Sequence, residues 1–134
     1  PVHSVDVIVR RLELINHSGE TVTIHKAHSF NLDLNHSRFE LMTLDGLWIR
    51  ERQINKGPLR PGIISIDSKK GVSGANHNPF IGLLGQGTNE KSGECYGFSL
   101  IYSGNFSGNV EVSPYGMTRL QMGISDFDFR WKLE

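Results

Sequence analysis

The sequence has little of several features, and each shortage excludes a class of protein. Its 134 residues carry 14 basic and 14 acidic side chains, so the formal net charge is zero. A surface without excess positive charge argues against nucleic acid or an anionic membrane as a partner. No apolar run approaches the roughly 18 residues that a membrane-spanning helix needs. The single cysteine, Cys95, cannot form an internal disulfide, and a lone thiol suits either a reducing cytoplasm or burial in the core.

A helical period is also missing, because no window of 11 residues repeats its apolar positions every 3.6 residues. A period of two recurs instead. It is clearest over residues 21–34, where Lys26 and His28 interrupt the apolar face and predict a strand that is bent or split near its middle. A change of phase between Val5–Val9 and Leu12–Leu14 predicts another strand that contains a β-bulge. Further strands are predicted over residues 39–44, 47–54, 63–67, 80–84, 94–102, 109–112, 118–124 and 127–133.

These strands predict an all-β fold for residues 1–134 as a single domain. About nine or ten strands with short connections are typical of an antiparallel two-sheet β-sandwich. Asp45-Gly46 between two alternating runs predicts a tight hairpin turn. The polar stretches 68–79 and 85–93 predict long loops.

Metal-binding and nucleophilic patterns have little support. His25 and His28 are three residues apart, which places them on opposite faces of a strand. Asp126 and Asp128 alternate with aromatic residues, as in a final strand with a polar outer face. Cys95 lies in a strand pattern rather than at the start of a helix, which predicts a buried and inert thiol. We expect no metal site, no cofactor and no catalytic residue in this chain.

The segment after Gly46 carries the one pattern that suits ligand binding. Trp48, Arg50 and Arg52 alternate along the predicted strand, which places them on one face. An indole ring can stack on the apolar face of a sugar while guanidinium groups donate hydrogen bonds to its hydroxyls. The alternative is structural, with the tryptophan at a sheet edge and an arginine stacked on it or paired with an acid. The residues alone favour the structural role and leave both open.

Several blocks of the sequence, in a fixed order over nearly the whole chain, carry a family resemblance. They are residues 46–52, 58–62, 67–71, 77–81, 93–106, 110–112, 118–119, 122–124 and 127–134. Together they resemble the N-terminal domain of the family 36 glycoside hydrolases, the bacterial-type α-galactosidases. The block Tyr102-Ser103-Gly104-Asn105-Phe106 is especially specific.

The resemblance implies that the chain is a non-catalytic part of a β-supersandwich. A separate TIM barrel in cis would carry the two catalytic carboxylates of a retaining α-galactosidase. By the same resemblance, Trp48 lines the galactose pocket. Arg50 and Arg52 are further substrate-binding candidates, although the resemblance favours for them a place at the interface with the barrel or a role in orienting the tryptophan loop. His77 and Asn78, in a loop near the same interface, are also candidates. The implied partners are melibiose- or raffinose-type galactosides, the barrel, and further copies of the parent enzyme in a homo-oligomer.

Both ends of the chain are abrupt. It begins Pro1-Val2-His3 without a methionine and stops at Glu134 while an alternating pattern is in progress. We expect a piece of a larger cytoplasmic enzyme that has no hydrolase activity by itself. Two alternatives stay open: a stand-alone carbohydrate-binding module that uses Trp48 as a stacking platform, and an architectural oligomerisation domain.

Overall fold

A computed structural model describes residues 6–134, which form ten strands in three antiparallel sheets. These residues contain no helix, and therefore none long and apolar enough to cross a membrane. The strands are β1 (Val22–Ile24), β2 (Phe30–Leu34), β3 (Phe39–Leu47), β4 (Arg50–Pro58), β5 (Gly62–Ser68), β6 (His77–Gly85), β7 (Cys95–Ser99), β8 (Phe106–Val112), β9 (Thr118–Ile124) and β10 (Trp131–Leu133).

Two four-stranded sheets pack face to face, while β1 and β10 form a separate pair. One sheet has the order β2-β9-β8-β5 and the other β4-β3-β6-β7. Burial alternates along β8, where Phe106, Val110 and Val112 face inward, as expected when one face of a strand covers a core. The core contains Phe39, Leu41, Ile66, Ile81, Leu83, Phe106, Val110, Leu120 and Met122. The predicted all-β sandwich is therefore confirmed.

The predicted break in the strand over residues 21–34 is also confirmed, since β1 ends at Ile24 and β2 begins at Phe30. Between them the chain crosses close to Gly123 of β9. A Cβ atom at Gly123 would lie 2.6 Å from the Cα atom of His28, so only glycine allows this approach. Lys26 and His28, which interrupt the apolar pattern, therefore lie in the segment between β1 and β2 that passes over β9.

The predicted strand over Val5–Leu14 is wrong for its described part, and Val5 itself lies outside the described residues. Residues 7–17 belong to no ladder, and Ile8 and Val9 are 74% and 76% exposed. An alternating sequence becomes a strand only where a neighbour completes its backbone hydrogen bonds. Among residues 6–134, no strand does so for this segment.

The last strand is shorter than predicted, because residues 126–130 make a turn before β10 begins at Trp131. The Phe129 N–H donates to the Asp126 carbonyl oxygen at 3.2 Å, and Asp128 has a φ of 59°. Asp126 and Asp128 therefore do not form the polar face of a strand. Backbone hydrogen bonding in the turn replaces the expected alternation.

Cys95 is exposed, which corrects the prediction of a buried thiol. It is the first residue of β7, and β7 is the outermost strand of its sheet. Four of the five residues of β7 are exposed. An edge strand has only one neighbour, so a strand-like sequence around a cysteine does not ensure that it is buried.

Candidate functional site

The β3–β4 hairpin turns at Trp48 and Ile49, not at Asp45-Gly46 as predicted. Asp45 and Gly46 continue β3, and Leu47 pairs with Arg50 across the turn. Ile49 has a φ of 72°, in the left-handed region that a β-branched residue rarely adopts. The Ile49 N–H donates to Glu51 Oε1 at 3.0 Å. A side chain of β4 therefore supports a strained turn at the tip of the hairpin.

Gly46 is required for close packing rather than for the turn. A Cβ atom there would lie 2.2 Å from the Arg50 carbonyl oxygen and 2.9 Å from the Glu51 Cα atom. The ladder pairs Asp45 with Gln53 and Leu47 with Arg50, so Gly46 faces two residues of β4. This is a β-bulge. The missing side chain lets the bulged strand fold back on β3 just below Trp48.

Trp48 projects from the tip of this hairpin and is 80% exposed. Arg50 and Arg52 are exposed on the first residues of β4. Because Trp48 lies in the turn and Arg52 has a φ of 58°, the alternation that predicted one shared face for the three side chains does not run through this segment. Trp48, Arg50 and Arg52 nevertheless lie close together in the chain at one end of the hairpin.

At the base of the tip, the Asp45 carboxylate accepts hydrogen bonds from three side chains on three strands. Oδ2 accepts from Thr43 Oγ1 of β3 at 2.9 Å and from Asn55 Nδ2 of β4 at 3.1 Å. Oδ1 lies 2.9 Å from His77 Nδ1 of β6. Partial burial by itself raises the pKa of Asp45, but the hydrogen bonds from His77, Asn55 and Thr43 outweigh it and hold this pKa below its usual value.

The same four side chains line a cleft of about 240 Å³ between the hairpin and β5. Its other walls are mainly apolar, with Leu41, Pro58, Ile64 and Ile66 among them. The inward face of β3 thus changes from apolar at Phe39 and Leu41 to polar at Thr43 and Asp45. These four residues alternate along one face of β3, and the polar ones are nearer the turn. The polar end of the cleft therefore lies toward the hairpin tip.

His77 and Asn78 open β6, which begins within the predicted loop of residues 68–79. The remaining loop, residues 69–76, touches the hairpin, since the Gly46 N–H donates to the Asn76 carbonyl oxygen at 3.0 Å. Thr43 pairs with Ile81 and Asp45 with His77, so β6 places Asn78, Pro79 and Phe80 opposite Leu44 alone. Asn78 is half-buried in this irregular stretch. His77 therefore contacts the hairpin through its side-chain interaction with Asp45.

Four residues of this site were not predicted from the sequence, namely Thr43, Asp45, Asn55 and Asn76. The signal was present, because Thr43 and Asp45 are two residues apart and Asn55 follows in the next strand. With the turn at Trp48-Ile49, the ladder sets Thr43 opposite Asn55 and Asp45 beside both. Assigning the turn to Asp45-Gly46 concealed that register.

Comparison with known proteins finds relatives over nearly the whole chain. Residues 2–134 match the Glycosyl hydrolase family 36 N-terminal domain. The chain is 40% identical over 129 residues to alpha-galactosidase AgaA of Geobacillus stearothermophilus, covering 96% of this chain and 18% of that protein. It is 39% identical over 127 residues to alpha-galactosidase Mel36A of Lactobacillus acidophilus, covering 95% of this chain and 17% of that protein.

Solved structures give the same relation. The crystal structure of AgaA aligns with a TM-score of 0.87, covering 90% of this chain and 17% of that one. The α-galactosidase of Lactobacillus brevis aligns with a TM-score of 0.86 at 39% identity, covering 88% of this chain and 16% of that one. The chain therefore spans less than a fifth of the proteins it matches. By its match over residues 2–134, it belongs to the N-terminal domain family of the family 36 glycosyl hydrolases.

Proposed function

We propose that this chain is a non-catalytic β-sandwich domain of a retaining α-galactosidase that removes terminal α-galactosyl groups from melibiose- or raffinose-type sugars. Family membership and the activity of the named relatives support this assignment. Variants of the relative AgaA have been solved in complex with raffinose and with stachyose. The larger enzyme is a cytoplasmic homo-oligomer, and a catalytic barrel in cis supplies its two carboxylates.

The observation that carries the proposal is the way Trp48 is presented. An indole that is 80% exposed contributes little to the core of its own domain. The turn that holds it nevertheless keeps Ile49 at a positive φ and is supported by Glu51. Strain of this kind persists where surrounding contacts enforce it, and it concentrates at binding sites. Trp48 is suited to form one wall of a sugar pocket whose other walls belong to the barrel.

The other candidates have different roles around this ring. Arg50 and Arg52 are exposed donors at the same end of the hairpin, where they reach substrate hydroxyls or acidic groups of the barrel. His77 supports the hairpin, since its Nδ1 atom is engaged by Asp45. Asn78 follows in the irregular part of β6 and completes the set on the rim of the pocket.

Replacing Trp48 with alanine in the full-length enzyme is expected to lower kcat/KM for raffinose about tenfold. This corresponds to the loss of about 1.4 kcal/mol of stacking on the sugar. Steady-state kinetics with raffinose and a nitrophenyl α-galactoside measure the effect. The free energy of unfolding should change little, because the side chain is exposed.

Tyr115→Ala is the matched control. Tyr115 is 92% exposed and lies in the connection between β8 and β9, so it is also an aromatic residue near the tip of a hairpin. We expect this variant to keep the kinetics of the parent. Equal losses in both variants, or none in Trp48→Ala, would remove Trp48 from the substrate pocket.

The 134-residue chain by itself is expected to hydrolyse no α-galactoside, because one indole and two arginines supply neither a nucleophile nor a proton donor. Release of nitrophenol from nitrophenyl α-galactoside measures this directly. Calorimetry with galactose and raffinose tests the alternative function. Millimolar or tighter binding that Trp48→Ala abolishes would favour a stand-alone carbohydrate-binding module instead.

A further inference from the structure

Asp45 joins three strands at the point where the hairpin leaves the regular sheet. Its carboxylate is held by Thr43, Asn55 and His77 at distances of 2.9 to 3.1 Å. The Asp45 side chain is 27% exposed, and the His77 side chain is 36% exposed. Half-buried hydrogen bonds that involve a charged group are stronger than neutral ones. The cluster therefore holds β3, β4 and β6 firmly together at this point.

Asp45 lies between two irregularities in the ladders that β3 forms with its neighbours. Toward β4, the register shifts immediately after Asp45, at the bulge that faces Gly46. Toward β6, the register has shifted just before Asp45, where three residues oppose Leu44. Asp45 is therefore the residue at which the hairpin is pinned to both neighbours between two irregularities. Hydrogen bonds of its side chain join the strands where these irregularities interrupt the backbone pairing.

We propose that Asp45 is a positioning residue, which acts with His77 to fix the register of the β3–β4 hairpin and thereby the place of Trp48. The value of this placement for catalysis rests on the proposed function, in which Trp48 contacts the substrate. Asp45 and Trp48 are three residues apart, and Gly46 between them packs directly against the Arg50 carbonyl oxygen. Because the backbone at Gly46 is tightly packed against β4, a displacement of Asp45 should also displace the turn that carries Trp48.

The test uses the full-length enzyme labelled with 5-fluorotryptophan, in which Trp48→Phe assigns the ¹⁹F resonance of Trp48. Asp45→Asn keeps the shape of the side chain but lacks the charge and one acceptor oxygen. We expect it to shift or broaden that resonance and to raise KM for raffinose about fivefold, with kcat within about twofold. Asp45→Ala removes all three hydrogen bonds and should have a larger effect in the same direction.

The control is Asp67→Asn, since Asp67 is a strand carboxylate on β5 that pairs with Lys69 outside the cluster. It should leave both the resonance and KM unchanged. His77→Ala should reproduce the effect of Asp45→Asn, and the double variant should be no worse than either single one.

An unchanged Trp48 resonance in Asp45→Asn and Asp45→Ala would overturn the positioning role, whatever the kinetics. If the resonance moves while neither these variants nor Trp48→Ala alters KM, the positioning role stands and the proposed substrate contact fails. Additive effects of Asp45→Asn and His77→Ala would contradict the partnership of the two residues.

Discussion

Gly46→Ala is expected to displace the Trp48 hairpin, with a loss of about 1–3 kcal/mol in the free energy of unfolding. The added methyl group would lie 2.2 Å from the Arg50 carbonyl oxygen and 2.9 Å from the Glu51 Cα atom. Both are backbone atoms, so no side-chain rotation relieves the contact. β4 must move away from β3, which breaks the bulge that shapes the turn.

Because the displaced turn carries Trp48, the same change should lower kcat/KM of the full-length enzyme at least as much as Trp48→Ala does. Urea unfolding of the chain measures the first effect, and raffinose kinetics measure the second. Gly57→Ala is the matched control, since Gly57 lies on β4 of the same hairpin and has no atom within 4 Å of the position of a Cβ. If the two alanine variants behave alike, close packing at Gly46 does not shape the hairpin.

Phe106→Ala is expected to lower the free energy of unfolding by about 3–5 kcal/mol. The ring is fully buried at the start of β8, among the residues that hold the two sheets together. Its removal leaves a cavity between sheets whose backbones are fixed by ladders on both sides, so the site cannot collapse to fill it. Domains of this kind have a total stability of about 5–15 kcal/mol, and this single change removes a large part of it.

Urea unfolding monitored by circular dichroism measures the difference. The slope of the unfolding free energy against urea concentration is expected to stay constant. Phe127→Ala provides the comparison, because Phe127 is 54% exposed and contacts the ammonium group of Lys69. Its loss should stay below about 1 kcal/mol. A cost for Phe106→Ala no greater than that of Phe127→Ala would mean that this ring does not anchor the core.

The sequence determined the parts of the fold that depend on local alternation. Residues 118–124 alternate over a length that matches β9, and the inward row of β8 carries its apolar residues at every second position. A period of two is a property of neighbouring residues, so it can be recognised without knowing which strands pair. The family blocks that single out Trp48 were likewise visible in the sequence.

Only the tertiary structure decided which strands find partners and where each ladder slips. The alternating residues 7–14 join no ladder among the described residues, and Cys95 is exposed because β7 is an edge strand. The hairpin turns at Trp48-Ile49 because β4 is bulged opposite Gly46, which depends on the approach of two backbones. The Asp45 cluster needs residues 43, 55 and 77, brought together only by the registers of two ladders. Register is a relation between distant segments, and no local pattern contains it.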